Sequence, residues 1–185
     1  MKRKTAKEIL ADSFRELTER KQADEITIKD ITGNCGYSTA TFYRQFKDKY
    51  SLIAWDYSRR YKEMMSRAGG PGRSLYDCFL EGALHFEAQK EYLANLIRHT
   101  AGFDSFVENM KDIHYEVLRN YFLALTENGH LPVKLDMCIR FYSCGATDVT
   151  CDWILGRIEA CPKELAAIYE NSLPQPLREL IDRKK

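Results

Sequence analysis

From Thr5 onward, apolar side chains return every three or four positions: Ala6, Ile9, Leu10, Phe14 and Leu17. Lys7, Glu8, Asp12, Arg15, Glu16 and Glu19 fill the opposite side, the pattern of an amphipathic helix. A second helix opens at Thr27, where Thr27-Ile28-Lys29-Asp30 has the spacing of a capping box. Gly36 suits the left-handed backbone that ends it. Ser38 then supplies a fresh N-cap for a short third helix through Phe46. Asp48 caps a fourth, which carries Leu52, Ile53, Trp55, Tyr61, Met64 and Met65 inward.

Gly69-Gly70-Pro71-Gly72 is the strongest breaker in the chain and predicts a domain boundary, dividing it into residues 1–66 and 67–185. Beyond it, helical patterns cover 74–89, 90–100 and 105–127. The last of these carries Phe106, Met110, Ile113, Val117, Tyr121 and Leu125 on one stripe. Asn128-Gly129 ends it, and Leu131-Pro132 leads into a long helix near 135–157. Pro162 opens a last helix, which Pro174 and Pro176 are expected to close. The chain therefore reads as all-α, with about nine helices and neither repeats nor low-complexity segments.

Composition narrows the function classes. The net charge of +1 conceals an asymmetry, since residues 1–65 hold 14 Lys/Arg against 10 Asp/Glu and the remainder 14 against 17. The N-terminal part is the one that would face phosphate. Lys2, Arg3, Lys4 and Lys7 fit either a phosphate-touching arm or a frayed terminus. The six cysteines include no Cys-x-x-Cys pair, and the four histidines no i, i+4 pair, so no metal site is expected. Cys35 reads as a small packed hydrophobe. No secretory leader or bilayer-spanning run is visible, so reduced thiols in a cytoplasmic protein are expected. Phosphate loops, nucleophile elbows and acid–base pairs are absent too, which argues against an enzyme and against a cofactor.

Helix, turn and helix over 27–46 match the arrangement that places a second helix in the DNA major groove. Phe42 and Phe46, four apart, turn inward, which directs Ala40, Thr41 and Arg44 toward base edges; arginine is the best bidentate partner of guanine. Tyr43 lies on the flank within reach of phosphate. Lys49 and Thr27 bring a charge and two helix N-termini to the backbone.

The run from Thr27-Ile28-Lys29-Asp30-Ile31 through Cys35-Gly36-Tyr37-Ser38-Thr39-Ala40-Thr41-Phe42-Tyr43-Arg44-Gln45-Phe46-Lys47-Asp48-Lys49 to Leu52 resembles the signature of TetR-family transcriptional regulators. A fainter likeness is to the dihydroxyacetone-kinase regulator subgroup. The resemblance covers about 45 residues with the first helix included. It implies that Thr27, Ser38, Thr39, Tyr43 and Lys49 touch the DNA backbone, with Thr39, Thr41 and Arg44 nearer the bases; Lys29, at the start of the second helix, is a further expected DNA-binding residue. Thr32, Cys35, Tyr37 and Gln45 depart from the family pattern, and Gln45 puts one phosphate contact in question. The family further implies a homodimer on a double-stranded, palindromic operator, joined through the helix near 135–157; Tyr142, Val149 and Trp153 are its expected interface residues. It also implies a small apolar or aromatic effector, for which Phe86, Phe103, Phe106, Met110 and Tyr121 are the expected lining. The alternative is an activator or co-regulator whose C-terminal domain docks a partner protein.

Overall fold

A computed structural model describes residues 4–66, 73–102 and 105–183, and every described element is helical. The N-terminal part comprises α1 (Ala6–Thr18), α2 (Ile28–Cys35), α3 (Thr39–Gln45) and α4 (Lys49–Met65). Behind it come α5 (Leu75–Ala88), α6 (Lys90–Arg98), α7 (Phe106–Ala124), α8 (Val133–Ile154), α9 (Pro162–Asn171) and α10 (Gln175–Asp182). The helix starts are where local chemistry puts them. Thr5, Thr27, Asp48 and Ser74 each close a reciprocal capping box, and Ser38 caps α3 through its hydroxyl. One expectation is overturned at the C-terminus. Pro174 and Pro176 do not close α9 but open a tenth helix, because a fixed φ and a missing N–H suit a first turn.

α4 serves both halves. Its first turns bury Leu52 and Ile53 beneath α1, and its later turns bury Tyr57, Met64 and Met65 against α5 and α7. α5 packs chiefly on α9, and α7 on α8. The buried apolar residues form one continuous core from Leu10 to Leu177. The expected boundary after residue 66 and its Gly69–Gly72 cluster fall outside the described residues, as do Lys2, Arg3 and Phe103. Lys4 pairs with Asp12 at 2.7 Å, and Lys7 lies over the Phe46 and Trp55 rings.

Two polar devices fasten the halves together. Asp56, only 1% exposed, receives Arg15 Nε of α1 at 2.6 Å and Arg59 Nη2 at 3.1 Å. Arg15 also donates to Gln89 at 2.5 Å and stacks on Tyr92. A buried carboxylate is tolerable only with such partners. Further out, Asn95 of α6 grips the turn between α1 and α2: its Nδ2 donates to the carbonyls of Thr18 (3.1 Å) and Lys21 (2.9 Å), while its Oδ1 accepts from Ala23 N–H at 2.9 Å.

Candidate DNA-reading surface

α2 ends at Gly36 with φ +72°, a conformation that a side chain would strain, and Tyr37 N–H closes the turn on Thr32 O at 2.9 Å. α3 therefore leaves at a fixed angle. Phe42 and Phe46 are buried, with ring centroids 5.8 Å apart, and Phe46 meets Trp55 edge-on. These anchors set the rotation of α3. Thr39, Ala40, Tyr43 and Arg44 are exposed, Tyr43 by 60%, and Thr41 is half-buried. The Thr41 hydroxyl accepts from Arg44 Nη2 at 3.0 Å and lies 3.1 Å from Ser38 Oγ, so the guanidinium is held before anything binds. Thr27 and Lys29 are exposed at the start of α2. Thr27 and Lys21 hydrogen bonds keep the Asp30 carboxyl below its usual range, chiefly through the Thr27 backbone N–H.

Lys49 departs from expectation. Its ammonium donates to the carbonyls of Ala23 (2.9 Å), Asp24 (2.7 Å) and Ile26 (3.0 Å), which engages all three protons. It acts here as a strut beneath the α1–α2 turn. Burial also pushes its pKa down. Lys47, exposed at the α3–α4 junction, is the cation that sequence reasoning passed over.

The expected effector lining does not converge on one cavity. Phe86 lines two cavities beside α4, whereas buried Phe106 and Met110 line neither. Tyr121 faces a separate cleft with Leu125 and Arg178. On α8, Trp153 is 2% exposed and donates its indole N–H to Ala160 O at 2.8 Å, while buried Tyr142 donates to Tyr169 O at 2.7 Å. Trp153 faces the core, whereas Tyr142 also lines an open groove with Phe141, half-buried Val149 and Ile168. The large apolar residues that α8 presents to solvent are Val133, Met137 and Phe141, the last 76% exposed, and exposed Ile168 of α9 shares a groove with Phe141. A helix apolar on most sides does not reveal by periodicity which side meets the core.

Residues 74–175, more than half of the chain, match the TetR family model described as a transcriptional regulator C-terminal region. The chain is a TetR-family regulator. Solved structures agree in fold at low identity. The dihydroxyacetone kinase operon activator DhaS is 15% identical with a TM-score of 0.59, covering 94% of this chain and 96% of its own. A TetR regulator from Streptococcus agalactiae 2603V is 15% identical, TM-score 0.62, with 90% and 92% covered. One from Rhodococcus sp. RHA1 is 14% identical, TM-score 0.63, with 90% and 96% covered. No curated protein matches this regulator. Among the described residues, no helix is long and apolar enough to cross a membrane.

Proposed function

We propose that this regulator binds a two-fold-symmetric operator as a homodimer and releases it when a small molecule enters the C-terminal half. Residues 1–66 form the DNA-reading unit and 67–185 the regulatory one. It is a binding protein and not a catalyst, acting in the cytoplasm where the DNA is. The observation that carries the reading is the exposed face of α3, where Arg44 is pre-positioned by Thr41 above two buried phenylalanines. Thr39, Ala40 and Arg44 face the bases; Thr27, Lys29, Ser38, Tyr43 and Lys47 face the phosphates. The exposed stripe of α8 with Ile168 supplies an apolar strip for a second copy, and a palindromic site requires a two-fold protein.

Footprinting on DNA flanking the gene, followed by titration, tests this. Arg44→Ala should relax preference at one base pair by about 1–3 kcal/mol. Lys47→Ala should weaken binding to every sequence and reduce the log–log salt slope by roughly one. Equal, sequence-independent losses from both would remove Arg44 from the base-reading role. DhaS is described as an operon activator, which favours testing transcription in both directions. Operator binding that responds only to a partner protein would replace the small molecule by that partner.

A further inference from the structure

Two cavities meet at α4. The outer one, about 220 Å³, opens between α1, α4 and α5, with Arg15, Arg60, His85 and Gln89 on its wall. The inner one, about 30 Å³, lies between α4, α5, α7, α8 and α9, and no charged side chain lines it. Tyr61, Met64 and Phe86 border both and form the partition between them. The inner space as it stands holds a water and nothing larger.

The partition is built to yield at one point. A Cβ on Gly82 would lie 3.1 Å from Met64 Cε and 3.2 Å from Sδ, so the glycine vacates the space the thioether occupies. Methionine is unbranched and repacks readily. The rings beside it are nearly parallel: Tyr57 and Tyr61 differ by 10°, and Tyr57 and Phe86 by 12°. A flat body suits such walls.

Each chamber also holds a buried polar atom without a hydrogen-bond partner. In the inner one it is Ser143 Oγ, on a fully buried residue. In the outer one it is Arg60 Nε, which has only a 3.6 Å ion pair with Asp56. Buried donors of this kind are ordinarily satisfied, so each calls for an acceptor. On the outer wall Arg15 and Arg60, both paired with Asp56, stand with exposed Glu63 and the Arg73-paired Glu81. Burial and then Arg60 and Arg15 push the His85 pKa down, ahead of the opposing pull of Asp56 and Glu81.

We propose that, with Met64 swung aside, the two cavities join into one site for a small aromatic hydroxy acid, its carboxylate on Arg60, its ring beside Tyr61 and Phe86, and its hydroxyl on Ser143. This rests on the effector reading above but is tested apart from it. Calorimetry on the DNA-free protein would compare 3-(4-hydroxyphenyl)propionate with 3-phenylpropionate and with the methyl ester of the hydroxy acid. Loss of the hydroxyl or of the charge should each weaken binding by about tenfold. Ser143→Ala should erase the first difference and Arg60→Gln the second; the serine variant only removes an unpartnered hydroxyl, so it tests the site even if Arg60→Gln disturbs Asp56. Three compounds of equal affinity, or none binding at millimolar concentration, would overturn the site. If the hydroxy acid binds with the expected pattern yet leaves operator affinity unchanged, the site stands and ligand-driven release falls. If another compound releases the operator while none of the three binds, release stands and this site falls.

Discussion

His114 is enclosed by α4, α7 and α8, and its two nitrogens have different duties. Nε2 lies 2.5 Å from the Tyr57 hydroxyl, and Nδ1 lies 2.8 Å from Thr147 Oγ1. Thr147 already donates its hydroxyl proton to Ser143 O at 2.8 Å, so it must accept from Nδ1–H. Tyr57 then donates to Nε2, and the imidazole is neutral in a single tautomer. Burial holds its pKa down at about 3. The unfolded chain titrates near 6.5, so the folded state binds fewer protons below that pH. The residue's contribution is complete above about pH 6.5 and is lost as pH falls toward 3, at up to about 1.4 kcal/mol per unit. Urea unfolding at pH 7 and pH 5 should show wild type losing more stability than His114→Gln, whose amide does not titrate. Identical losses would mean that the imidazole reaches water. The sequence shows only that His114 lacks a metal-like neighbour; Tyr57 is 57 positions away, and nothing local pairs them.

Between elements, the α1–α2 turn is held from two sides: Lys49 of α4 takes its carbonyls, and Asn95 of α6 takes both carbonyls and an N–H. Asn95→Ala strands those groups, and a cost of about 1–3 kcal/mol is expected where they stay buried. Hydrogen exchange should quicken at the Ala23 amide while α7 and α8 amides keep their protection. Unchanged exchange at Ala23 would show that Lys49 suffices. Helix starts were legible because capping is local: Thr27 with Asp30, Ser38 with Thr41 and Asp48 with Ser51 each lie within one turn. The inward turn of Phe42 and Phe46, and with it the outward face of α3, was legible for the same reason. The Lys49 and Asn95 contacts span more than 20 residues, and no periodicity encodes them. Pro174 was ambiguous in kind, since proline both ends helices and begins them.

For the molecule as a whole, the exposed stripe of α8 decides what a charge does. Phe141→Glu should shift sedimentation from dimer to monomer while the circular dichroism stays helical, because the substitution desolvates a carboxylate only in the assembled state. Trp153→Glu should instead unfold the protomer, since its ring lies in the core. A Phe141→Glu protein that remains dimeric would move the interface elsewhere. The shared core and the Asn95 grip also bear on how such regulators can be recombined. A chimera made by cutting after residue 66 would carry Arg15, the α1–α2 turn and all of α4 onto a foreign body lacking Gln89, Tyr92 and Asn95. The portable cassette is therefore discontinuous in the chain: the first 66 residues together with the α5–α6 face that receives them.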